Sequence, residues 1–164
     1  MKIGVPMEPT GETRVAIVPG SMKKLMKSVF EVVVEKGAGN SANYSDDEYT
    51  DAGATIGNRA DVLSCEIIIS IRIPDASELS KGQIVACVAD PFRHPKKVQT
   101  CIDGNVTLLS MDMIPRRLSR AQSMDVNSSQ DNLAGYKAVL LGAAHVPRGI
   151  PMMTTSAGTI RPAK

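Results

Sequence analysis

Short apolar runs alternate with segments of helical period along most of the chain. Lys2–Pro6 (KIGVP) reads as a short strand. In Pro19–Val29 the apolar residues Met22, Leu25, Met26 and Val29 recur at helical spacing, with Ser21 as the expected cap. Glu31–Gly39 reads as a β-branched strand closing on a glycine turn. Residues 45–54 follow as a short helix capped by Ser45, with acids in its first turn. Asn58–Ser64 is a second short helix. Glu66–Pro74 (EIIISIRIP) and Gln83–Ala89 (QIVACVA) are continuous apolar runs, as strands covered on both faces require. A helix over His94–Gly104 separates the latter from a last clear strand, Asn105–Asp112.

Strand, helix, strand, helix predicts an α/β domain. The expectation is a Rossmann-like or flavodoxin-like parallel sheet of about five strands with flanking helices. The pattern changes after Asp112. A polar loop leads into a long C-terminal helix, about Ser128–Val146, with a stripe of Leu133, Tyr136, Val139 and Leu140. Its glycines and alanines suit close packing. Residues 1–147 are read as the domain. Residues 148–164, with several prolines and glycines and no period, are read as a linker.

Composition changes this picture little. The 164 residues carry 19 basic and 17 acidic side chains, and aromatics make up 3%. A basic surface interleaved with aromatics is missing, so a nucleic-acid reader is not expected. No apolar run is long enough to span a membrane, and the N-terminus lacks a signal-peptide core. Cys65, Cys87 and Cys101 lack metal-ligand spacing and read as small buried thiols. His94 and His145 lie far apart, and no metal site is expected.

Gly37–Ala42 spells G-x-G-x-x-A after a strand. A dinucleotide fingerprint needs a helix to open at those glycines, however, and here the next helix begins later, with acids that would repel phosphate. The plainer reading is a strand-ending turn. The loop with Glu8, Glu12 and Arg14 lies just past a strand end, where ligands bind in open α/β sheets. Arg117, Arg120, Gln122 and Asp125 follow another strand end. An amide that both donates and accepts, beside fork donors and a carboxylate, can hydrogen-bond a carboxamide. The plain alternative is a surface loop in which an Arg–Asp pair caps the next helix.

Several segments carry a family resemblance: KIGVPMEPTGETRVAIVP (2–19), VVVEKGAGNSANYSDDEYTDAGA (32–54), NVTLLSMDMIPR (105–116), RAQSMDVNSSQDNLAGYKAV (120–139) and AGTIRPAK (157–164). In this order they resemble the N-terminal part of the α subunit of proton-translocating NAD(P) transhydrogenases, within the wider alanine dehydrogenase/transhydrogenase N-terminal family. The resemblance implies NAD(H) as cofactor, with NADP(H) on another component. It implies that Arg117, Gln122 and Asp125 orient the nicotinamide for hydride transfer, with Arg120 and Ser123 among the cofactor contacts. Arg116 stands beside Arg117 as the other candidate arginine. Implied partners are a Rossmann NAD-binding domain (not contained in these 164 residues), and membrane and NADP(H)-binding components. A homodimer is implied, as is a place peripheral to the inner membrane on the cytoplasmic side, without insertion.

The rival reading within the family is alanine dehydrogenase. There a substrate-like pocket would use Arg14, with Arg72 standing where a lysine is expected and Asp90 where a histidine is expected. Neither replacement does the same chemistry. A third reading, of another class, is a truncated or split-gene interaction module without catalysis, which an exposed apolar face on the long helix would favour.

Overall fold

The computed structural model describes residues 1–27 and 30–162. Six strands form one all-parallel sheet: β1 (Lys2–Val5), β2 (Glu31–Glu35), β3 (Thr55–Gly57), β4 (Ile67–Ile69), β5 (Ile84–Cys87) and β6 (Thr107–Ser110), in the order β3-β2-β1-β4-β5-β6. Winding runs outward from β1 in one direction and from β4 in the other. The β1–β4 seam is therefore the topological switch point, where neighbouring loops turn to opposite faces and leave a crevice.

The helices are α1 (Pro19–Met26), α2 (Asp46–Asp51), α3 (Arg59–Leu63), α4 (Pro95–Asp103) and α5 (Val126–His145). α2 starts as expected. The Ser45 hydroxyl accepts the Glu48 N–H, and the Glu48 carboxylate accepts the Ser45 N–H in return. Asn58 and Asp61 do the same for α3. Alternate residues of the central strands fill the core: Ile3, Val5, Val32 and Val34 meet Met22 and Tyr49, and Ile68, Val85 and Cys87 meet Leu63 and Cys101. The Tyr49 hydroxyl, in a fully buried ring, donates to the Ile17 carbonyl at 2.8 Å. Gly4 is required where α3 crosses β1, because a Cβ there would collide with the Val62 carbonyl. All three cysteines are free and buried.

The parallel sheet is the one expected, with one strand beyond the five that the pattern marked. The extra one, β3, is a three-residue edge strand with no fully buried residue, too short to leave a hydrophobic pattern. Several expectations need correction. Helix α1 begins at Pro19 behind Val18, and Ser21 lies inside it rather than at its cap. It closes at Met26, and Val29 lies outside the described residues. The Glu66–Pro74 run leaves the sheet after Ile69. The segment read as a linker carries regular structure within residues 148–162. β7 (Met153–Thr155) and β8 (Gly158–Ile160) form an antiparallel hairpin, turning at Gly158 with φ +127°. Two β-branched tripeptides around a turn are too brief for a period to be read.

Candidate functional site

Because the sheet is parallel, the loops after β1, β4, β5 and β6 all emerge at one edge. After β1, Glu8 reaches across the switch point and accepts the backbone N–H groups of Ile71 and Arg72 beyond β4. Burial raises its carboxyl pKa, although those two N–H groups pull the other way. Glu12, only 9% exposed, takes both forks of Arg14, from Nε at 2.7 Å and Nη2 at 2.6 Å. Arg72 Nε adds a third bond to Glu12 at 3.1 Å. The Arg14 hydrogen bonds bring the Glu12 pKa down to about 2. The remaining Arg14 amino group, Nη1, donates to Gln130 Oε1 on α5 at 2.8 Å.

A second cluster forms where β5 and β6 end. The Asp112 carboxylate accepts the Ala89 and Asp90 N–H groups at 3.0 and 3.1 Å and the Ser110 hydroxyl at 2.7 Å. Its carbonyl accepts the Asn127 side-chain amide of α5 at 3.0 Å. Asp90 is held at φ +44°, a left-handed conformation uncommon for residues with a side chain and better tolerated by Asp than by most. Its carboxylate pairs with Arg93 at 3.7 Å.

The loop of residues 116–125 follows β6. Ala121 is buried and anchors it, whereas Arg116, Arg117, Arg120, Gln122 and Ser123 are exposed. The Ser123 hydroxyl donates to the Arg120 carbonyl. Asp125 caps α5, accepting the Ser128 N–H at 3.0 Å and the Ser128 hydroxyl. Those bonds lower its pKa. Its arginine partner is Arg116, with Nε at 3.6 Å, and Arg116 also reaches Asp131 at 3.4 Å. The arrangement of Asp125 and Arg116 is thus the plain one, an Arg–Asp pair capping the next helix. The side chains of Arg117 and Gln122 bond to no partner among the described residues.

A cavity of about 640 Å³ opens at the switch point, lined by Glu8, Ser70, Arg72, Asp75, Arg59 and Lys97 among others. Arg59 is braced on its wall by both oxygens of Glu78, at 2.7 Å each, and by Glu35 at 3.2 Å.

The residues of the substrate-like pocket divide. Arg14 and Arg72 meet, but through Glu12, which occupies the Nε–Nη2 edge of Arg14 and the Nε of Arg72. Asp90 belongs to the Asp112 cluster instead. Sequence reasoning assigned no role to Asp112, Gln130, Glu35 or Arg59. Only Asp112, an acid directly after a strand, carried a local signal of its position.

A doubly wound parallel sheet with polar loops gathered at its switch point defines a Rossmann-like α/β domain. The chain belongs to the family described as alanine dehydrogenase/PNT, N-terminal domain, which residues 4–134 match. It is 42% identical to the first segment of NAD(P) transhydrogenase subunit alpha of Rhodospirillum rubrum, over all of this chain and 45% of that protein. It is 29% identical to the alanine dehydrogenase of Methanococcus maripaludis, over 90% of this chain and 40% of that protein. The crystal structure of transhydrogenase from Sinorhizobium meliloti superposes with a TM-score of 0.93 at 40% identity, covering 99% of this chain and 50% of that one. The chain therefore spans half or less of the length of these proteins.

Proposed function

We propose that this domain is the N-terminal part of the NAD(H)-binding component of an NAD(P) transhydrogenase, in which it positions the nicotinamide for hydride transfer between NADH and NADP⁺ coupled to proton translocation. The observation that carries this reading is the exposed loop of residues 116–125, with the side chains of Arg117 and Gln122 unengaged at the ligand-binding edge of the sheet. The higher identity to a transhydrogenase subunit than to an alanine dehydrogenase also favours it.

The donor set fits one end of the cofactor. The Gln122 amide can donate to a carboxamide oxygen and accept from its NH₂, and the Arg117 fork can bracket the same group. Arg120 adds donors toward the ribose, and the Ser123 hydroxyl oxygen, whose proton goes to the Arg120 carbonyl, adds an acceptor. Asp125, fixed by Ser128, holds the loop's exit and keeps a negative charge beside Arg116. The set does not fit a pyrophosphate: α2 and α5 both begin with carboxylates. The pyrophosphate and adenosine would be held by a separate NAD-binding Rossmann domain. Bound NADH supplies the hydride itself. This chain contributes orientation, and holding the ring in a near-attack geometry lowers the barrier by several kcal/mol. No general acid or base is required of it.

The partners under this reading are that Rossmann domain, the membrane and NADP(H)-binding components, and a second copy of the subunit. No helix among the described residues is long and apolar enough to cross a membrane, which agrees with docking against the inner membrane from the cytoplasmic side.

The alanine dehydrogenase reading is weaker, because Glu12 already takes both arginines and Asp90 is turned to Arg93. One observation favours the interaction-module reading: no residue of α5 is buried, and Leu133, Tyr136 (67% exposed), Val139 and Leu140 face outward. A calorimetric titration with NADH separates these possibilities. Weak or no binding to this domain alone, with micromolar binding once the Rossmann domain is supplied, is expected. Absence of binding with both present would leave the interaction module.

A further inference from the structure

We propose that Arg14 is a positioning residue that sets the nicotinamide-facing loop by pinning α5 through Gln130. This rests on the reading above, in which residues 116–125 meet the cofactor. α5 runs for 20 residues, and among its first ten only Val126, Asn127 and Gln130 are even half-buried. Its first turns are held by two polar pins: Asn127 on the Asp112 carbonyl, and Gln130 on Arg14. The second pin is the stiffer. Arg14 is locked in a planar fork by Glu12, Glu12 is braced by Arg72, and the Arg72 backbone is held by Glu8. A continuous polar chain therefore runs from the ends of β1 and β4 to the helix whose cap, Asp125, closes the loop. Three of the five N–H donors of Arg14, one on each side-chain nitrogen, are engaged in it.

The test uses Gln130→Ala, Arg14→Ala and the double variant, in the assembled transhydrogenase. Two readouts are taken: amide exchange over residues 116–131, and kcat and KM for hydride transfer from NADH to NADP⁺. Gln130→Ala alone is expected to speed exchange about tenfold, the worth of one hydrogen bond to a charged group. It should lower kcat with little change in the KM for NADH. In an Arg14→Ala background the same change should add nothing, because the pin is already gone. A Gln130→Ala variant with unaltered exchange, or one whose effect adds in full to that of Arg14→Ala, would overturn the proposal. If the unmodified complex transfers no hydride, the functional reading fails by itself, and the exchange data still decide the pin.

Discussion

Replacing Glu12 by Gln probes the ion-pair hub directly. The carboxylate is 9% exposed and accepts four side-chain and backbone hydrogen bonds from Arg14 and Arg72. Its pKa falls from an ordinary 4.5 to about 2, chiefly through the Arg14 side chain. A depressed carboxylate contributes stability above its unfolded pKa, and that contribution fades as pH drops through the folded pKa. The full interval corresponds to at most about 3 kcal/mol. Arg14 and Arg72 are 39% and 46% exposed, however, so solvent screens the pair. A realistic loss for Glu12→Gln at pH 7 is about 1–2 kcal/mol. Urea unfolding of both proteins at pH 7 and pH 3 measures it. The gap between them should shrink by more than half at pH 3, where part of the charge stabilisation has already gone. Equal stabilities at pH 7, or a gap unchanged with pH, would refute the reasoning.

Other consequences can be measured on the same footing. Gly4→Ala should cost about 2–3 kcal/mol, because the new Cβ meets the Val62 carbonyl and β1 or α3 must shift, and denaturant unfolding will report it. Tyr49→Phe should cost about 1–2 kcal/mol by leaving the Ile17 carbonyl without its donor, seen as a lowered Tm. Asp125→Ala should speed amide exchange in the first turn of α5, whereas Asp125→Ser, which keeps a capping oxygen but loses the Arg116 pair, should restore most of the protection.

How much of this was legible beforehand depends on how local the cause is. Val32–Val34 and Ile67–Ile69 announce buried parallel strands because both faces of each must be apolar. Ser45 and Glu48 announce a helix start because a capping box closes within four residues. The turn at Gly37, φ +78°, was readable from the acids that follow it. β3 and the β7–β8 hairpin escaped because three residues carry no usable period, and pairing with a neighbour decides them. At the site, the capping role of Asp125 was legible as the plain alternative, an Arg–Asp pair at the start of the next helix. The bonds from Arg72 to Glu12 and from Arg14 to Gln130 cross 60 and 116 positions. No local pattern encodes such distances. They exist because a parallel sheet delivers every loop to one edge. The family resemblance assigned Arg117, Gln122 and Asp125 to the nicotinamide, which the geometry leaves to experiment.

The central claim is that Gln122 orients the nicotinamide. Its most direct measurement is the rate of hydride transfer from NADH to NADP⁺ by the assembled transhydrogenase carrying Gln122→Ala. The side chain is exposed and hydrogen-bonds to no partner among the described residues, so folding should be untouched. The account predicts a kcat lowered about tenfold or more, as loss of one orienting hydrogen bond in the transition state implies. A kcat equal to that of the unmodified enzyme, in a protein of unchanged stability, would contradict it.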